Sequence, residues 1–319
     1  MLSWYSRRFR AMGTDVHLVV HGGPPHLVEW AEAEIARLEG HWSRFLPDSD
    51  VTRLNANSGG EPVRVAPETI DVVARACRLW HTTDARFDPT VLRALEHHGY
   101  DATFEIVRAR EPEWQRVVSE PPGCSPMRFQ VARRDDDLDS HPAPGCAGIV
   151  IDRAHSTITL PTGCVIDLGG IGKGYAGDLV VRGLLARGAS GACIGVGGDV
   201  RALGAGPDNG AWPIEVENPF AAGQTLFTIP LRDSAIVTST RLIRRWRHRG
   251  RWRHHIIDPA TGRPADTGLA AVIVADRVAW RAEGLAKAAL VAGEARGRAL
   301  LDRHEVTGWF VDDVGRVAA

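Results

Sequence analysis

Lysine is almost missing from this chain: of its 38 lysines and arginines only Lys173 and Lys287 are lysine. An ammonium is a compact point charge and a guanidinium a wide planar fork, so the two do not interchange where geometry is tight. Two lysines left in an arginine background therefore ask for a reason. An excess of charge of either sign is also missing. The formal net charge is −1, which supplies no global field to recruit nucleic acid or an anionic membrane. No stretch approaches the roughly 18 consecutive apolar residues of a membrane-spanning helix. Cysteine is scarce and odd in number (five), scattered, and without CxxC or Cys/His spacing. That pattern points to reduced thiols and excludes a disulfide framework and a structural zinc site. Residues Met1 to Arg10 carry Arg7, Arg8 and Arg10 and no apolar segment, so a secretory signal is not expected and the chain reads as cytoplasmic.

At 319 residues and 44% hydrophobic content the chain buries a large core. Val16–Val20 reads as a strand, Pro25–Leu38 as an amphipathic helix ending near Gly40, and Pro67–Leu79 as a second helix at close to helical spacing. A short helix over Thr90–His98 is closed by Gly99. Strands are expected at Ile149–Ile151, Thr157–Leu160, Cys164–Ile166 and Ala192–Val196, with a helix from Lys173 to about Arg187. Helices and strands interleave without a strict βαβ repeat, which predicts an α+β fold: a single domain over residues 1–319 of mixed sheets packed with helices. Between Glu111 and Gly148 proline and charge accumulate, which reads as an excursion rather than a domain boundary. In Ile243-Arg-Arg-Trp-Arg-His-Arg-Gly-Arg-Trp-Arg-His-His-Ile256 the arginines alternate with tryptophan and histidine. Period-2 alternation about Arg249-Gly250 predicts a hairpin with an arginine-coated solvent face, in preference to a nucleic-acid patch.

Four local patterns carry chemistry. Asp167-Leu-Gly-Gly-Ile-Gly-Lys173 joins a carboxylate, small-residue backbone and an ammonium ahead of a helix, an arrangement suited to phosphate. It fails GxxxxGK[ST], since Gly174 follows the lysine, and fails the dinucleotide GxGxxG context. His254-His255-Ile-Ile-Asp-Pro-Ala-Thr-Gly262 leads a histidine pair into a tight turn, a candidate site whose plain alternative is a satisfied core histidine. Asp88 precedes Pro89 and either serves a site or caps the following helix. Gly195-Val-Gly-Gly-Asp199 ends a strand in glycines, allowing a ligand close or simply a bend. For Lys287 the plain alternative is an i,i+4 pair with Glu283 on a solvated helix face.

Taken in order, these segments resemble the ApbE family of flavin transferases. The resemblance runs through Met12-Gly-Thr14, Ser43-Arg-Phe-Leu-Pro-Asp-Ser-Asp50 with Arg53-Leu-Asn55, Phe87-Asp-Pro-Thr90, and Asp167 to Tyr175. It continues through Gly197-Gly-Asp199 and His255 to Gly262 and ends in the Ala282–Leu290 helix. It implies transfer of the FMN part of FAD to a threonine or serine of a target protein, with release of AMP and use of magnesium. By similarity Met12, Phe45, Arg86, Phe87 and Asp88 line the flavin-nucleotide pocket, Asp167 and Lys173 hold FAD near its ribose and phosphates, and His255 and Ile257 also touch it.

The family's metal is held by a backbone carbonyl at the position of Gly170 and by Asp and Thr side chains on the late helix. Here those two positions are Glu283 and Lys287. A glutamate reaches magnesium with altered geometry, and a protonated lysine cannot ligate it. Two readings follow: magnesium held through Gly170, Glu283 and the pyrophosphate with Lys287 adding charge, or the Lys287 ammonium in the metal's place. His255 and Asp88 are the candidate bases and Lys287 a candidate for charge stabilisation. The rival functions are a catalytically idle FAD-binding protein and an FAD pyrophosphatase yielding FMN and AMP.

Overall fold

In a computed structural model the described residues are 3–110 and 141–319. Most of the proline- and charge-rich excursion, residues 111–140, therefore lies outside the described residues.

The core is an eight-stranded sheet whose strands follow one another in chain order: Trp4–Ala11, Thr14–His21, Gly191–Val196, Asp199–Gly204, Ala235–Thr240, Leu269–Asp276, Thr307–Asp312 and Val317–Ala318. The sheets are more uniform than the mixed set expected, since every described pairing is antiparallel. The strand Leu269–Asp276 shows why both faces are covered. Val272 and Val274 join the core under the helices, while Ala271 and Ile273 point to the other side with Trp212, Val216 and Leu231 of the Trp212–Glu217/Thr225–Leu231 hairpin. That split is the period-2 geometry of a strand.

The helices Gly172–Ala186 and Ala279–Ala292 lie on one sheet face, with Leu27–Trp42 and Pro67–Thr82 packed against them. Leu27, Ala31, Ile35, Leu38 and Trp42 supply the buried stripe of the first helix, which runs on past Gly40 because Trp42 completes that stripe. Ala279–Ala292 is buried nearly all round, so small residues dominate it. Gly174 permits its approach: a Cβ there would sit 2.6 Å from the Ala279 carbonyl oxygen.

Two expectations need correcting. Cys164–Ile166 forms no strand, because the backbone N–H and C=O of Ile166 pair with the side chain of Asn55 at 2.8 and 2.9 Å. The hairpin forms at Arg245–His248 and Arg251–His254, but Arg253 is buried beside Trp246 rather than solvent-facing. Trp252 takes the outer side, with the Arg245 and Arg247 guanidiniums 5.1 and 5.4 Å from its ring.

Candidate active site

At one end of the sheet a cavity of about 330 Å³ opens between the helices and the hairpins. Its size is that of a small-molecule site. Its walls contain Met12, Phe45, Arg86, Phe87, Asp88, Asp167, Gly170, Lys173, His255, Ile257 and Lys287. Of the residues that the resemblance assigns to the site, only Glu283 is withdrawn behind the wall, where it is fully buried.

Local backbone explains how these residues meet. Ala11 pairs with Thr14, so Met12-Gly13 is a two-residue turn, and both have positive φ (52° and 65°) as a tight antiparallel hairpin requires. A second two-residue turn, Gly197-Gly198, abuts the first: a Cβ on Gly197 would lie 2.5 Å from Thr14 Oγ1. This close contact brings Asp199, the next residue, under the glycine turn that starts the Gly172–Ala186 helix.

There Lys173 Nζ donates to Asp199 Oδ2 and Glu283 Oε1, each at 2.5 Å. Lys287 Nζ reaches the same Glu283 Oε1 at 3.1 Å, and Gly174 N–H donates to Glu283 Oε2 at 2.9 Å. The i,i+4 pair of Lys287 and Glu283 thus exists, but on a buried face rather than the solvated one. Burial alone would lower the Lys173 pKa; the Asp199 and Glu283 carboxylates outweigh it and raise it. Burial likewise opposes ionisation of Glu283, yet Lys173 and Lys287 pull its pKa down to about 2. Burial lowers Lys287 and raises Asp199, each resisted by the opposite charges beside it.

A second cluster frames the neighbouring wall. Arg44 Nε lies 3.3 Å from Asp167 Oδ2 and its Nη2 donates to the Tyr100 carbonyl at 2.7 Å. Its guanidinium sits 4.2 Å from the Phe45 ring centroid and 4.8 Å from that of Tyr100. Arg244 bonds the Tyr100 hydroxyl and the Gly13 carbonyl, both at 3.1 Å. Arg44, Tyr100, Asp199 and Arg244 were not picked from sequence as site residues. Arg44 and Asp199 lay inside recognised motifs, whereas nothing local marks Tyr100.

The two histidines separate cleanly. His254 is buried, its Nε2 against the Ala265 carbonyl at 3.1 Å and its Nδ1 accepting from Ile256 N–H at 3.3 Å; burial and then Arg241 push its pKa to about 3. Both its nitrogens serve the fold. His255 instead lines the cavity, with Nδ1 3.3 Å from the Arg244 carbonyl. A nitrogen facing a carbonyl donates, so neutral His255 keeps its lone pair on Nε2. Burial first, then the Arg244 and Lys287 charges, hold its pKa well below the ordinary value.

Asp88 Oδ1 accepts from both Thr90 N–H (2.7 Å) and Thr90 Oγ1 (2.6 Å). It braces the turn that leads to the Leu92–His97 helix, and burial raises its pKa.

The metal expectation meets an obstacle. Glu283 Oε1 is shared by two ammonium groups and Oε2 is taken by a backbone amide, while Lys287 brings positive charge. Among the described residues, no group of three or more His, Cys, Asp or Glu side chains is arranged to hold a metal ion. These residues do not fit magnesium's octahedral oxygen shell.

Comparison with known proteins gives a consistent answer. The profile of the ApbE family matches residues 12–310. A Vibrio cholerae protein named FAD:protein FMN transferase is 28% identical over 281 residues, spanning 86% of this chain and 77% of the relative. A Klebsiella pneumoniae protein of the same name is 30% identical over 277 residues, spanning 85% and 77%. Among solved structures, the ApbE protein of Thermotoga maritima superposes with a TM-score of 0.80 at 28% identity, covering 99% of this chain and 96% of that one. The flavin transferase ApbE from Vibrio cholerae gives 0.77 at 25% identity, covering 100% and 97%. The chain belongs to the ApbE family.

Proposed function

We propose that this chain is an FAD:protein FMN transferase, which moves the FMN half of FAD onto a threonine or serine hydroxyl of an acceptor protein. The observation that carries the reading is the convergence of two ammonium groups, a neutral imidazole and a set of aromatic rings in one cavity. FAD has the matching parts: an anionic pyrophosphate and a flat apolar ring system. Lys173 and Lys287 take the pyrophosphate, Asp167 the ribose, and Met12, Phe45, Arg86, Phe87 and Ile257 the remaining contacts with the nucleotide and flavin.

In the reaction the acceptor oxygen attacks the FMN phosphorus, its proton passes to a base, and the bond to AMP breaks. His255 is the preferred base, because its Nε2 lone pair is left available by the Nδ1 contact with the Arg244 carbonyl. Asp88 is less suited, since one of its oxygens is committed twice to Thr90. The ammonium groups stabilise charge that builds on the transferring phosphoryl and on AMP.

No helix among the described residues is long and apolar enough to cross a membrane. Product analysis tests the activity. Purified chain, FAD and a threonine-bearing acceptor should yield AMP and flavin-linked acceptor in equal amounts. Free FMN with unmodified acceptor would make it a pyrophosphatase, and intact bound FAD an idle flavin binder.

A further inference from the structure

The lysine-lined wall of the cavity shows only ammonium groups to an incoming ligand. Lys173 and Lys287 side chains retain 19% and 17% exposure, whereas those of their carboxylate partners Asp199 and Glu283 retain 3% and 0%. Both lysines line the cavity. Within this cluster a cation would meet the two ammonium groups before either carboxylate, and a polyphosphate would meet its complement.

Three further observations point the same way. The two carboxylates are balanced by two ammoniums, so the buried cluster is neutral before any ligand arrives. A divalent ion added there would leave net positive charge in a poorly solvated place, beside two like charges. Glu283 has no acceptor oxygen left without partners: turning one toward a metal would break an ammonium contact or uncap Gly174 N–H. The stem of Lys287 also occupies the space over the glycine turn, with Cδ and Cε at 3.4 and 3.6 Å from where a Cβ of Gly170 would stand.

We propose that Lys287 stands in for a divalent cation at this site, so that Lys173 and Lys287 together hold the pyrophosphate of FAD and transfer proceeds without a metal ion. This rests on the transferase reading above. No bond changes beyond those of that reaction: the ammonium neutralises non-bridging oxygens of the pyrophosphate, and AMP departs as it would otherwise. A point charge lacks the bridging geometry of a divalent ion, so turnover is slow but insensitive to chelation.

The test is a set of equilibrium titrations of the full chain in EDTA and again in excess magnesium. The probes are FAD, ADP as a pyrophosphate without flavin, and manganese alone followed by electron paramagnetic resonance. The proposal expects FAD and ADP affinities unchanged between the two conditions and no saturable manganese binding. It expects Lys287→Met to weaken both nucleotides by about tenfold or more, the worth of one charge-assisted hydrogen bond. Binding of ADP or FAD that collapses in EDTA and returns with magnesium would overturn it, as would saturable manganese binding to the wild-type chain. If Lys287→Met does not fold, the wild-type comparison and the manganese titration still decide. ADP bound tightly in EDTA with FAD excluded would support the metal replacement while removing the transferase reading on which FAD depends.

Discussion

Adjacent histidines with opposite duties show how much a single side chain's surroundings decide. His254 spends both nitrogens on the fold, and His255 keeps one for the cavity. Replacing His255 with Asn should therefore lower the rate of flavin transfer by about a hundredfold or more, the usual contribution of a general base, while FAD affinity stays near wild type. Single-turnover transfer and FAD titration on the same preparation separate the two. His254 should show itself in stability instead. Its pKa is depressed to about 3 in the folded chain from an ordinary 6.5. Between those values the unfolded chain binds a proton that the folded chain refuses. Its contribution is thus complete above pH 6.5 and is lost as pH falls toward 3, at up to about 1.4 kcal/mol per pH unit. Denaturant midpoints measured from pH 7 to pH 4 should fall less steeply in His254→Gln than in the wild type. The sequence leaves open which of the pair serves the site, because adjacent residues at a strand end face apart and the pattern does not say which face is inside.

Between elements, the junction of the Gly172–Ala186 and Ala279–Ala292 helices organises the lysine wall. Asp178, buried in the first helix, accepts from Trp280 N–H at 3.0 Å at the start of the second and from Arg201 Nε at 2.8 Å in the sheet. Asp178→Ala removes a helix-start acceptor and leaves Arg201, itself buried, without this carboxylate. We expect a loss of about 3 kcal/mol or more, read as a lowered urea midpoint, with weakened FAD binding because the Glu283–Gly174 contact depends on the same helix spacing. Most elements at this scale were legible: the Arg249-Gly250 hairpin and the helices near Pro67 and Lys173 lie close to where period and glycine placement put them. Cys164–Ile166 forms no strand because its apolar character marks burial, while the backbone hydrogen bonds of Ile166 go to Asn55, more than a hundred residues earlier. Arg253 was misread for a related reason, since charge alone does not reveal a strand's inner face.

Across the whole molecule, the cavity draws on residues from Met12 to Val291, so no local window contains it. What the sequence disclosed was an ordered set of short motifs, each weak alone, whose combination pointed to a flavin transferase. It also disclosed both lysines, conspicuous because arginine fills nearly every other basic position. It could not disclose that they meet on one carboxylate oxygen, because that contact is set by the packing of two helices and two hairpin turns. The central claim is that this cavity seats FAD with its pyrophosphate against Lys173 and Lys287. A crystal structure of the chain soaked with FAD in EDTA tests it most directly. The account predicts pyrophosphate oxygens within hydrogen-bonding distance of both ammonium groups, His255 beside the FMN phosphorus, and the flavin ring against the aromatic wall. FAD seated elsewhere, or seated here with its phosphates turned away from both lysines, would contradict it.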